Sequence, residues 1–218
     1  MAGDWRDDVL DFWFALDPKS WWRGPPELDE QISERFLELW KEKRQLPAET
    51  FLSDARTAIA AVILFDQFPR NMFRGHADQF STDPLALAIA KGAVERGLDE
   101  KLEPKERGFL YLPFEHSEDM DDQRRAMLLF TALGDPDMLH FAKLHRDIIE
   151  RFGRFPHRNA VLGRATVHVA ASGTTTVVDD TAHPTGFSGS WVGDGDFGSG
   201  TTTLRGSANG ADSSGEPR

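Results

Sequence analysis

Apolar side chains recur at helical spacing through the first three-quarters of the chain. Residues 4–16 and 28–44 each carry an apolar stripe, the second formed by Leu28, Ile32, Phe36, Leu39 and Trp40. A stripe of this period with charged residues opposite it is typical of an amphipathic helix packed on a core. Residues 54–68 are instead apolar nearly all round, which predicts a central, buried helix.

The later helices are predicted from their start signals. An acidic residue followed by proline suits an N-cap and the first helical position, and such pairs occur at 83–84, 103–104 and 135–136. We expect helices over residues 84–102, 104–112, 120–133 and 136–152. No alternating strand pattern competes with them, so the sequence predicts an all-helical domain of about seven helices in antiparallel pairs.

The composition changes sharply near Arg164. The last 54 residues hold 26 Gly, Ser or Thr but only one Leu and no Ile, Met or Lys. Such a segment buries too little apolar surface to offset the entropy lost on ordering. We therefore predict a helical domain over residues 1–164 and a largely disordered Gly/Ser/Thr-rich tail over 165–218. Residues 165–178 have a weak strand tendency, and a small β-hairpin there is the less favoured interpretation.

The overall composition narrows the possible functions. There are no cysteines, which excludes disulfides, Cys-ligated zinc and thiol catalysis. The longest apolar run, residues 58–65, is far shorter than the roughly 18 residues that a membrane span requires, and the first residues lack the features of a secretory signal. The net charge of −11 disfavours nucleic-acid binding. We expect a cytoplasmic protein that binds neither membrane nor nucleic acid.

Three polar segments interrupt the helical pattern, and the first follows the central helix. We expect that helix to end at Phe68, because Pro69 disfavours helical angles in the residue before it. Candidate site residues then surround a helix carboxyl end, where arginines can also satisfy open carbonyls. These residues are Asp66, Gln67, Arg70, Asn71 and Arg74.

The second segment combines an imidazole, a hydroxyl and carboxylates within residues 112–119. Its candidate binding residues are His116, Glu118 and Asp119. A histidine beside carboxylates can act as a general base, and Glu115, His116 and Asp119 have a spacing that resembles metal ligands on a helical turn. The sequence contains no zinc signature, however. The favoured interpretation is that Ser117 caps the next helix while the acids favour its amino-terminal dipole. We expect no metal and no cofactor.

The third segment, residues 151–164, carries four arginines and no acid. Its candidate binding residues are Arg151, Arg154, His157, Arg158 and Asn159. Guanidinium groups pair with carboxylates or phosphates through two hydrogen bonds, which leaves two interpretations open. The arginines either pair internally with Asp66, Glu115, Glu118 or Asp119, or hold an external anionic ligand. We interpret His145, near the apolar face of the last helix, as a core histidine.

These segments resemble the landmarks of a bacterial family, domain of unknown function 924. The resemblance rests on F-D-Q-F-P-R-N at 65–71, P-F-E-H-S-E-D at 113–119 and R-F-G-R-F-P-H-R-N-x-x-L-G-R at 151–164. V-L-D-F-W-F at 9–14 matches the usual opening of the family, and Trp21-Trp22 fits its next landmark. The resemblance covers residues 7–164. It implies an all-helical, TPR-like fold and no established activity, so no catalytic residue can be carried over.

The sequence departs from the family after L-G-R at 162–164. Similar proteins usually continue with a Ser/Thr-x-Glu-Glu helix start and end soon after, whereas here the Gly/Ser/Thr-rich tail follows. Because the composition changes where a family helix should begin, we hypothesise that the tail comes from an altered reading frame.

Two classes of function remain, and the partner is an unknown protein, peptide or small anionic ligand. The favoured hypothesis is a protein- or peptide-binding module, since stacked helix pairs offer a concave face to a partner. The alternative is a hydrolase or transferase acting on a small anionic substrate. In that enzyme His116 or His157 would transfer protons while Arg151, Arg154 and Arg158 held the anion. The enzyme hypothesis requires these side chains to converge in one pocket.

Overall fold

A computed structural model describes residues 3–22, 24–169 and 175–178 of the chain. The helices are α1 (Trp5–Phe14), α2 (Pro18–Trp22), α3 (Pro26–Lys43), α4 (Ala55–Val62), α5 (Phe68–Met72), α6 (Asp83–Glu95), α7 (Pro104–Glu115), α8 (Met120–Leu133) and α9 (Pro136–Phe152). Short 3₁₀ turns lie at Ala48–Phe51, Ala77–Phe80, Asp99–Lys101 and Pro156–Arg158. Up to residue 165 the described chain is helical or irregular, which confirms the all-helical fold class.

Helix α4 lies at the centre of the core. Its residues from Ala58 onward are fully buried, as the all-round apolar sequence predicts. Helices α1, α6 and α7 pack on α4, α3 packs on α5, and α8 lies between α7 and α9. Aromatic side chains fill the space between α1, α3 and α5, where Phe68 contacts the rings of Phe12, Trp13 and Phe36. The central helix therefore carries the first polar segment into the middle of the molecule.

The expectation that the central helix ends at Phe68 is wrong. A π turn at Ile63–Gln67 connects α4 to α5, and the Phe68 N–H bonds the carbonyl of Ile63, five residues earlier. Pro69 has no N–H to offer Phe65, and the Thr82 hydroxyl donates to the Phe65 carbonyl instead, at 2.7 Å. The helical path therefore passes through Pro69, because a distant residue supplies the missing hydrogen bond.

Several other helix boundaries differ from the sequence-based expectation. The predicted loop after α1 contains α2, whose start is held by the Asp17 side chain accepting from the Lys19 N–H at 2.9 Å. Helix α6 begins at Asp83 itself, with Thr82 before it, and ends at Glu95. Helix α7 passes through Pro113 to Glu115, since its packing on α4, α6 and α8 outweighs the local cost of the proline.

The beginning of the predicted tail contains two short paired strands. Strand β1 (Thr166–Val169) pairs antiparallel with β2 (Thr175–Val178), with Thr166 opposite Val178. This pairing agrees with the strand tendency and with the less favoured interpretation of residues 165–178. The predicted disorder of the tail otherwise concerns residues 170–174 and 179–218, which lie outside the described residues. Within the described part of the chain, no helix is both long enough and apolar enough to cross a bilayer.

Candidate functional site

The first two polar segments meet at Asp66, which the π turn holds inside the protein. Asp66 is fully buried, and its Oδ1 atom lies 2.8 Å from Nδ1 of His116. Gln67 donates to the other carboxylate oxygen at 2.6 Å. An ionised Asp66 accepts both bonds and places a proton on Nδ1 of His116. The pair therefore links the end of α7 to the central helix.

The first and third segments meet at Asp83, a residue that the sequence indicated only as a helix cap. Arg70 donates to both oxygens of Asp83, at 3.0 and 3.2 Å, and to the Asp66 backbone carbonyl. Arg158 donates to Asp83 at 3.3 Å, with its guanidinium 4.4 Å from the centre of the Phe80 ring. Burial raises the pKa of the Asp83 carboxyl, against the lowering effect of the two guanidinium groups.

A second acid–imidazole pair lies beside the first. Oε1 of Glu115 is 2.8 Å from Nδ1 of His145, which is also 2.9 Å from the Phe141 carbonyl. The rings of His116 and His145 are 6.2 Å apart, centre to centre. His145 is 1% exposed. It is therefore an internally bonded core histidine, as predicted.

The remaining acids of the second segment have structural partners. Glu118 accepts from the Phe155 N–H at 2.9 Å and from Arg164 at 2.8 and 2.7 Å. Asp119, and not Ser117, caps α8, because its carboxylate accepts from the Asp121 and Asp122 N–H groups at 2.7 and 3.3 Å. Glu115, His116 and Asp119 thus bond to separate groups. The described residues contain no cluster of three or more side chains arranged to hold a metal ion.

The third segment divides into buried and surface parts. Arg158 and Asn159 are buried, and the Asn159 carbonyl accepts from the Arg164 N–H at 2.9 Å. Arg151 and His157 are exposed, and Arg154 is partly exposed. His116 and Arg158 are bonded to internal carboxylates, so the side chains of the enzyme hypothesis do not line one open pocket. Two of these arginines pair internally: Arg164 with Glu118, one of the expected acids, and Arg158 with Asp83, which was not expected.

An open cleft lies beside this network, between α2 and the π turn with α5. It encloses about 280 Å³, including space open to solvent, and is lined by Trp21, Trp22, Gly24, Gln67, Arg70, Asn71 and Arg74. Four candidate residues of the first segment therefore share one concave surface. Arg70 and Gln67 belong both to this cleft and to the buried network.

Two tryptophans form the aromatic side of the cleft. The Trp21 indole donates to the Trp13 carbonyl at 2.9 Å, and the Trp22 ring stacks on Phe109 at 5.9 Å with an angle of 10° between the planes. Both tryptophans are half-buried. Trp21 and Trp22 were not among the predicted site residues, and the available signals were an aromatic pair beside a Gly-Pro loop and its match to a family landmark.

The polar side of the cleft is held by Asp29 on α3. Asn71 donates to Asp29 at 2.9 Å, and Arg74 donates to both of its oxygens, at 2.8 and 3.0 Å. Asp29 was not among the predicted site residues, because nothing in the local sequence shows that it faces residues 71–74. The cleft thus combines two guanidinium groups, two amides and two indoles.

Comparison with known proteins identifies a family and a solved structure whose functions are unknown. The model of a family described as bacterial protein of unknown function (DUF924) matches residues 9–169. The chain is 42% identical to a protein of unknown function from Agrobacterium tumefaciens, whose solved structure matches with a TM-score of 0.69. That similarity covers 74% of this chain and 91% of the other. No curated protein matches.

Proposed function

The chain belongs to the bacterial DUF924 family, and we propose that it is a binding module whose cleft takes an acidic segment of a peptide or protein. The observation that carries the proposal is the lining of the cleft. Arg70 and Arg74 lie on the same concave surface as Trp21 and Trp22. Guanidinium groups bind carboxylates through paired hydrogen bonds, and indoles add apolar contact area at small entropic cost.

The shape of the cleft favours a segment of a larger partner over a free small molecule. Its volume of about 280 Å³ includes open solvent, and its walls enclose room for only about one water molecule. A site that surrounds most of a small ligand is a much deeper cavity. The cleft therefore contacts the end of a side chain, with the rest of the partner lying on the surrounding surface.

The charge of the whole chain limits how such a partner is attracted. A net charge of −11 repels acids at long range, but salt screens exposed charges beyond about 8 Å. Arg74, the exposed arginine of the cleft, acts within that distance. We therefore expect a moderate affinity that depends on direct contact rather than on electrostatic steering.

We assign the buried network a structural role in this binding module. Arg70 reaches from the cleft to Asp83 and to the Asp66 carbonyl, so the network fixes the direction of one guanidinium of the cleft. His116 is 4% exposed and bonds to Asp66. This arrangement supports a preformed binding site more than a reaction that moves protons to and from a substrate.

The proposal can be tested with libraries of labelled, end-blocked pentapeptides. One library holds Glu at the centre and the other holds Gln, and binding is followed by fluorescence anisotropy. We expect the Glu library to contain binders that Arg74→Gln weakens about two- to fivefold, since an ion pair with a half-exposed arginine contributes up to about 1 kcal/mol.

Arg56→Gln is the matched control. Arg56 pairs with Asp7 on another face, and both arginines are about half exposed, at 51% for Arg56 and 44% for Arg74. The affinity of the Arg56→Gln variant for the Glu-centred peptides should stay at the wild-type value. Equal binding of Glu and Gln peptides, or equal losses in the two variants, would rule out this function for the cleft.

A further inference from the structure

On the basis of the proposed binding function, we infer that the cleft recognises a carboxylate and that Asp29 occupies the carboxylate position until a ligand displaces it. Asp29 lies in the first turn of α3, opposite the side chains of Asn71 and Arg74. The Asp29 carboxylate accepts the hydrogen bonds that a carboxylate of the partner would accept after displacing it.

The hydrogen bonds to Asp29 define the chemistry that fits. Arg74 donates from Nε to Oδ2 at 2.8 Å and from Nη2 to Oδ1 at 3.0 Å. Asn71 adds a bond to Oδ1 at 2.9 Å. These three donors serve two oxygen positions, which match the two oxygens of a planar carboxylate. A carboxylate with the dimensions of the Asp29 group fits this arrangement directly, whereas a phosphate brings a third terminal oxygen and a tetrahedral shape.

The ion pair between Asp29 and Arg74 is weak enough for a ligand carboxylate to replace Asp29. The side chains are 22% and 44% exposed, and an exposed ion pair contributes about 0–1 kcal/mol. An incoming carboxylate replaces the lost bonds one for one. After exchange, the Asp29 charge stays beside the amino end of α3, where the helix dipole favours it. Asn71 is 8% exposed, so this donor remains in place while the carboxylates exchange.

Removal of the internal carboxylate tests the inference. The probe is the tightest binder from the Glu-centred library, titrated into wild-type protein and Asp29→Asn. We expect Asp29→Asn to bind the peptide about two- to fivefold more tightly. This gain equals up to about 1 kcal/mol of binding free energy, because the Asp29 carboxylate no longer competes for Arg74. Asp29→Ala should give the same direction, and Asp29→Glu, which keeps the charge, should not bind more tightly than wild type.

Glu27→Gln is the matched control, because Glu27 is an exposed acid in the same first turn of α3. Glu27→Gln removes one negative charge from the same turn but keeps Asp29, which accepts the bonds from Arg74, so its affinity for the peptide should change less than that of Asp29→Asn. A peptide with phosphoserine in place of Glu should bind more weakly.

Each outcome decides a specific point. Equal gains in Asp29→Asn and Glu27→Gln, or no gain in either, would overturn the exchange with Asp29 while leaving the binding function in place. Tighter binding of the phosphoserine peptide would overturn carboxylate recognition. If the wild-type protein binds no peptide through its carboxylate, the proposed function fails and the inference fails with it.

Discussion

At the scale of single residues, burial decides which charges matter for stability. Asp83 and Asp121 both lie in the first turn of a helix and both pair with arginine. Asp83 is 17% exposed between two nearly buried guanidinium groups, whereas Asp121 is 87% exposed beside Arg124. Breaking a buried pair leaves an uncompensated charge out of water, which an exposed pair does not.

We therefore predict that Asp83→Asn lowers the free energy of unfolding by about 3 kcal/mol or more, because Arg70 and Arg158 lose their shared anion. Asp121→Asn should lower it by about 0–1 kcal/mol. Urea unfolding followed by circular dichroism measures both values. Similar losses in the two variants would show that the buried network contributes nothing beyond a surface pair.

At the scale of elements, the central helix depends on a hydroxyl from outside it. Thr82 is 3% exposed and donates to the Phe65 carbonyl, and its oxygen accepts from the Trp40 indole at 3.2 Å. We predict that Thr82→Val destabilises the protein by about 1–3 kcal/mol, because it leaves buried polar groups without partners. Thr82→Ser keeps the hydroxyl and should lose less. Urea unfolding compares them, and a stability of Thr82→Val equal to that of the wild type would contradict the role of the hydroxyl.

The amino end of the same helix predicts a pH dependence. Asp54 caps α4 by accepting from the Thr57 N–H and hydroxyl, both at 2.8 Å. Partial burial raises the pKa of Asp54, but these bonds together with Ser53 and Arg6 lower it more, so the pKa lies below its ordinary value. A lowered pKa in the folded state gives stability that is present above about pH 3.9, the unfolded value, and is lost as the pH falls through the folded value.

Asp54→Asn keeps a capping oxygen but cannot titrate. We predict a small change in the free energy of unfolding at pH 7 and a smaller loss than wild type between about pH 4 and pH 2.5. Urea unfolding across this range gives the difference between the two proteins. A difference that stays constant with pH would contradict the assigned role of the Asp54 carboxylate.

The same helices show how far the sequence predicts the structure. Apolar period and capping residues predicted α3, α8 and α9 nearly to their ends, because those signals are local. The path through Pro69 could not be predicted, since it depends on Thr82, which is far away in sequence. For the same reason the sequence identified Arg70 and Arg158 as site candidates but not Asp83, the acid between them.

At the scale of the whole molecule, the three polar segments form two connected features. The inner one is the network of Asp66, Asp83, Glu115 and their partners, which joins the π turn, α5 and α6 to the end of α7, to α9 and to the turn after α9. The outer one is the cleft, where α2 brings the tryptophans against α5. Arg70 and Gln67 belong to both features, so the hydrogen bonds of the buried network hold two side chains of the cleft in place.

Nuclear magnetic resonance of the tryptophan indole N–H groups shows whether this cleft is the binding site. Trp21 and Trp22 line the cleft, while Trp5 packs on Phe51 on another part of the core. On titration with the Glu-centred peptide, we predict saturating shifts of the Trp21 and Trp22 signals, an unchanged Trp5 signal, and no such shifts with the Gln-centred peptide. Unchanged signals from Trp21 and Trp22 while the peptide binds, or equal shifts with both peptides, would contradict carboxylate binding in the cleft.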